Sequence, residues 1–142
     1  MRGPNPLKKF KNIGVMTVPF GGETRQEAYH PGIDIANESG TPIHAPVDGV
    51  VTNVDDSHIG VDNSFGNTLE LKDAEGQTHQ FHHLQNIGVQ PGQQITMGTP
   101  IATIGKTGAV YSESGGDPSS LDYRIVTSYK KYLNPMTYVS RL

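Results

Sequence analysis

The residues of this 142-residue chain best suited to chemistry begin with a histidine and an aspartate four positions apart, in Tyr29-His30-Pro31-Gly32-Ile33-Asp34-Ile35. A neutral imidazole and a carboxylate are both zinc ligands, and a Pro-Gly turn between them can fold both side chains toward one ion. The spacing alone is weak, because His-x-x-x-Asp also occurs on ordinary solvated turns. The chain has no cysteine, which leaves His, Asp and Glu as its strong metal-binding side chains. Two further stretches carry titratable groups: Gln77-Thr78-His79-Gln80-Phe81-His82-His83-Leu84 and Leu121-Asp122-Tyr123-Arg124-Ile125-Val126. On extended backbone His79, Phe81 and His83 point to one face and Gln80 and His82 to the other, so at most two of these histidines serve one pocket. By the same alternation Asp122, Arg124 and Val126 share a face.

The elements that must position these groups read as strands. Residues 13–20 form an apolar, β-branched run closed by Gly21-Gly22, and a short strand continues through Ile35-Ala36. Residues 24–29 suit a loop or a single helical turn. Thr41-Pro42-Ile43-His44-Ala45-Pro46 suits an edge strand because its prolines cannot donate to a ladder, and Asp48-Gly49 is a hairpin signal before the strand at 49–54. A long polar loop covers 55–67. Thr68-Leu69-Glu70-Leu71-Lys72 alternates and turns through Asp73-Ala74-Glu75-Gly76 into the histidine-bearing arm, a hairpin. Two short strands flank Gly98, a Gly- and Ser-rich loop spans 106–119, and a tyrosine-rich tail closes the chain. No helical periodicity or solenoid repeat persists.

Composition agrees. Seventeen glycines, ten prolines and 34% hydrophobic residues describe a turn-rich all-β chain. Its length suits one core, expected over residues 13–142 behind an amino-terminal arm or edge segment at 1–12. The net charge of −3 is spread over interspersed acids and bases, which argues against nucleic acid or an anionic membrane as partner. No apolar run is long enough to span a bilayer. No apolar stretch follows the basic residues near the start, so no secretory signal is expected and the chain is expected to be made in the cytoplasm.

Taken in order, these signatures resemble the lysostaphin/LytM-type zinc endopeptidases from about Val18 to Val139. Val18-Pro19-Phe20-Gly21 with Arg25 is similar to that family's opening segment, and His30-Pro31-Gly32-Ile33-Asp34-Ile35 to its first metal motif. The stretch at 41–51, Phe81-His82-His83-Leu84, the block from Gln90-Pro91-Gly92 to Gly108, and Asn134-Pro135 with Tyr138 follow in the family's order. The resemblance implies an antiparallel β-sandwich or barrel, a duplicated hybrid motif with little helix. It implies zinc held by His30 and Asp34, with His83 as the catalytic histidine, and hydrolysis of peptidoglycan peptides in which the metal lowers the pKa of bound water and polarises the scissile carbonyl.

The last motif departs from the pattern. The family has His-x-His followed by an aromatic residue and Glu, whereas this strand reads Ser120-Leu121-Asp122-Tyr123-Arg124-Ile125. Asp122 takes the place of the third zinc ligand and Ser120 that of a catalytic histidine. Aspartate still coordinates zinc, but two carboxylates with one imidazole make the metal less Lewis acidic, and losing an imidazole proton carrier costs on the order of a hundredfold in rate. His79 is a candidate to replace that imidazole, although a solvated strand end suits it better. His82 is expected to face away from the site, and His44 and His58 to lie on the surface.

The expected function is therefore a lysostaphin-type domain with a degenerate zinc site, binding peptidoglycan peptides or a protein partner in a larger assembly. Delivery to the cell wall in a virion or tail-like particle is expected. The alternative is an active zinc endopeptidase with a His30/Asp34/Asp122 metal set. A carrier or adaptor domain on a similar glycine-punctuated barrel ranks behind both.

Overall fold

The computed structural model describes residues 8–22, 29–110 and 116–142. The readings placed on residues 24–28, on Arg25 and on 111–115 lie outside the described residues. Among the described residues eleven strands follow one another: β1 Lys8–Phe10, β2 Gly14–Val18, β3 Ile33–Ala36, β4 Pro42–His44, β5 Gly49–Asp55, β6 Asn67–Lys72, β7 Thr78–Ile87, β8 Gln94–Ile95, β9 Pro100–Ile104, β10 Ser120–Val126 and β11 Tyr132–Leu133. A short 3-10 helix, Pro135–Arg141, ends the chain, and the Asn134 side chain caps it by accepting from the Met136 amide at 3.1 Å. No helix among the described residues is long and apolar enough to cross a membrane.

All pairings are antiparallel, and the main path runs β1-β2-β3-β10-β7-β6-β5-β8. This is the antiparallel all-β architecture with little helix that the sequence leads one to expect. The strand β1 pairs only with β2 among the described residues, and residues 1–7 of the expected amino-terminal arm lie outside them. The β6–β7 hairpin forms as expected, its turn fixed by Asp73 Oδ1, which accepts from the Glu75 and Gln77 amides. The hairpin expected at Asp48-Gly49 does not form. β4 pairs with β9, while β5 pairs with β6 and β8, so the local turn signal yields to pairings with distant strands. Asp48 instead accepts from the Met97 amide at 2.7 Å, tying that turn to the segment between β8 and β9.

The core gathers the inward-facing side chains of these strands, with Phe81 and Tyr123 stacked at 5.0 Å between ring centroids. Each is fully buried, and together they lock β7 against β10. The strand β10 is central: β3 flanks it on one side and β7 on the other, which brings residues distant in sequence into a single row.

Candidate metal centre

That row is set by register. Asp122 lies directly opposite Asp34 on β3 and directly opposite His82 on β7, and residues opposed in this way project from the same face. Ahead of β3, the chain reaches His30 through two backbone hydrogen bonds, His30 N–H to Gly22 O and Gly21 N–H to His30 O, both 2.8 Å. Gly32 makes the approach possible. A Cβ there would sit 2.5 Å from the Tyr123 carbonyl oxygen, so only glycine lets the His30–Asp34 turn lie against β10.

His30, Asp34 and Asp122 are thus brought together, with one ligand atom from each within 4.8 Å of the others. His30 Nε2 lies 2.9 Å from Asp34 Oδ1 and 4.0 Å from Asp122 Oδ1. Asp34 Oδ1 is buried against His30 Nε2, so a cation held here would be shared by the two side chains. Burial raises the Asp34 pKa, with His30 pulling it down and the Asp122 charge pushing it up.

The third carboxylate is already engaged. Arg124 Nε donates to Asp122 Oδ1 at 2.9 Å and its Nη2 to Oδ2 at 2.8 Å, a bidentate pair in which both residues are only 4% exposed. Burial alone would raise the Asp122 pKa, but the two Arg124 hydrogen bonds and its charge hold it below the ordinary carboxylate value. His30 and Asp34 fit a zinc ion by their chemistry, and Asp122 would reach the same ion only while sharing its oxygens with Arg124. Asp122's charge is cancelled by a guanidinium that would lie next to the dication. Arg124 stands where the resembling motif has Glu, and that reversal of charge beside Asp122 was the available signal for the pair.

The histidines of β7 are placed differently from strict alternation. His83 has φ 66°, a left-handed conformation that breaks the pleat. Its ring Nδ1 lies 2.8 Å from the Thr107 carbonyl, which can only accept, so Nδ1 carries the proton and Nε2 is left as the basic nitrogen. His30 and His83 both act electrostatically on Asp34, lowering its pKa. His82 is on the Asp122 side, contrary to the expectation that it faces away. It opposes Asp122 in register, and burial pushes its pKa down to about 4 against the pull of Asp122, so it is neutral near pH 7. Phe65 stacks on His82 at 4.3 Å and lies 4.6 Å from the Arg124 guanidinium carbon, roofing the ion pair.

His79 belongs to the other face. It is fully buried, with Asp73 Oδ2 2.9 Å from Nε2 and the Tyr123 hydroxyl 2.7 Å from Nδ1. It is a core histidine, neither a solvated strand end nor a replacement for the missing imidazole. Ser120 opposes Ala36 and shares the face of Asp122 by alternation. His44 and His58 are partly exposed, the latter between Asp55 at 3.2 Å and Asp62 at 2.9 Å.

Comparison with known proteins places this arrangement. The model of Peptidase family M23 matches residues 28–135, most of the chain. The chain belongs to peptidase family M23. Two curated relatives of this M23 domain are the cell division protein DipM of Caulobacter vibrioides, 30% identical over 79 residues, and the uncharacterized lipoprotein YgeR of Escherichia coli K12, 36% identical over 78 residues. These matches cover 56% and 55% of this chain but only 12% and 30% of the relatives' lengths. Among solved structures, the catalytic domain of the prophage-encoded protein EnpA of Enterococcus faecalis superposes with a TM-score of 0.69 at 25% identity, covering 94% of this chain and 96% of that one. Lysostaphin of Staphylococcus simulans superposes at 0.68 and 23% identity over 90% of this chain and 49% of its own, a likeness of fold.

Proposed function

We propose that this M23-family domain binds peptidoglycan peptides at the His30/Asp34/His83 face without hydrolysing them, as a recognition or structural part of a larger wall-directed assembly. The observation that carries the reading is the closure of both Asp122 oxygens on Arg124, at the position where the resembling motif supplies a zinc-binding histidine. Ser120, in place of a catalytic histidine, removes a second group that could move protons at neutral pH. The prophage origin of EnpA, a structural neighbour, supports delivery in a virion or tail-like particle.

The alternative of an active zinc endopeptidase is favoured by one observation. Three ligand atoms stand within 4.8 Å, beside a His83 whose Nε2 is free of the ring proton. Co-sedimentation with purified peptidoglycan separates the two readings when combined with an assay of released peptide. Binding without release supports the proposal, and release abolished by His30→Ala overturns it in favour of the peptidase.

A further inference from the structure

We propose that Arg124 is a resident cation that takes the electrostatic place of a metal in this site, so that the domain folds with the site closed and Arg124 itself excludes divalent ions. The inference deepens the non-hydrolytic reading and rests on it. Its basis is an unusual adjacency. Two carboxylates, Asp34 and Asp122, oppose each other across β3 and β10, an arrangement that is unfavourable unless a cation lies between or beside them. A metal ion would meet that need for both, and here Arg124, on the same strand, meets it for Asp122 while His30 lies 2.9 Å from Asp34. Arg124 grips Asp122 through Nε at 2.9 Å and Nη2 at 2.8 Å, and the gripped Oδ1 is the oxygen that lies 4.0 Å from His30 Nε2.

The cation is held in place from above as well as from the side. Phe65 lies 4.6 Å from the guanidinium carbon and stacks on His82 at 4.3 Å. Its loop is fixed by the His83 amide, which donates to the Phe65 carbonyl at 2.8 Å. Gly66 packs so closely on Thr107 that a Cβ would come within 2.4 Å of the Thr107 carbonyl oxygen. Withdrawing Arg124 to admit a dication would therefore expose an ion pair to rearrangement inside a packed layer. Leaving it in place would set a guanidinium beside the metal and take about two of the four lone-pair sites of the Asp122 carboxylate.

The test uses the full chain, stripped with a chelator and titrated with zinc by calorimetry and by competition with a chromogenic chelator. Arg124→Gln should bind zinc about 10- to 100-fold more tightly than the wild type, the scale on which groups behind metal ligands tune affinity. The gain should disappear when His30→Ala is added, and zinc should raise the melting temperature of Arg124→Gln but not of the wild type. Should Arg124→Gln not fold on its own, Asp122→His with Arg124→Gln removes the stranded carboxylate and should show the same gain. A wild type that binds zinc, dependent on His30, as tightly as either variant overturns the proposal, as does absence of any gain in both variants. Peptidoglycan sedimentation of the wild type, run beside these titrations, separates the two ideas. Loss of binding there with the zinc results as expected refutes the functional reading and leaves the role of Arg124 standing.

Discussion

Removing Arg124 alone should destabilise the fold far more than removing it together with Asp122. In Arg124→Met the Asp122 carboxylate stays 4% exposed and loses donors at 2.9 and 2.8 Å, leaving a buried charge whose ion-pair partner is gone. Breaking a buried pair from one side costs about 3–5 kcal/mol. For a chain of this size that corresponds to a fall in melting temperature of roughly 10–20 °C. Asp122→Leu should also destabilise the fold, because it removes the carboxylate that Arg124 Nε and Nη2 both grip. The double variant Asp122→Leu/Arg124→Met removes both charges and keeps most of the volume, so it should lie within about 1–2 kcal/mol of the wild type. The coupling energy is then about 3 kcal/mol or more, measurable from urea denaturation followed by circular dichroism with a chelator present throughout. A coupling below about 1 kcal/mol, the value of an exposed surface pair, would refute the idea that this pair is a sealed part of the interior.

Other outcomes follow from single residues. Burial lowers the His79 pKa below the unfolded value of about 6.5, despite Asp73, so its neutral form stabilises the fold above that pH and the contribution is lost as pH falls below it. Thermal unfolding from about pH 7.5 to about 5 should fall more steeply for the wild type than for His79→Gln, and parallel profiles would count against it. His58 shifts the other way. Its hydrogen bond to Asp62 raises its pKa, helped by Asp55, so the charged clasp on the loop is complete below about pH 6.5 and released as pH rises through the folded value. Amide protection across residues 56–66 should drop over that rise and should not change with pH in His58→Ala. Gly32→Ala should cost about 1–3 kcal/mol, because its Cβ would meet the Tyr123 carbonyl oxygen at 2.5 Å and backbone cannot yield as a side chain does. Unchanged stability in denaturant would contradict that close approach.

The strands were largely legible because alternation and turn residues are local. The β6–β7 hairpin and β10 could be read from period-two patterns, and the His30–Asp34 turn from its Pro-Gly. What failed to show was non-local or conformational. The left-handed φ of His83 puts it and His82 on the same side, and no residue type at that position announces such a break as glycine would. The burial of His79 depends on Asp73 across a turn and Tyr123 on a neighbouring strand, partners that alternation alone does not supply. The pairing of β4 with β9 overrode the Asp48-Gly49 signal for the same reason. Asp122 and Arg124 could be placed on one face from sequence, but the decisive step, that the pair is buried and turned inward on itself, required the packing of Phe65 and the register of three strands.

The most direct test is peptide release from purified peptidoglycan by the full chain, with zinc present and with zinc chelated, scored as new amino termini. An M23 domain closed by the Asp122–Arg124 pair should sediment with the peptidoglycan and release no more peptide than His30→Ala under either condition. Zinc-dependent release that His30→Ala abolishes would contradict the closed site and mark the chain as a working endopeptidase.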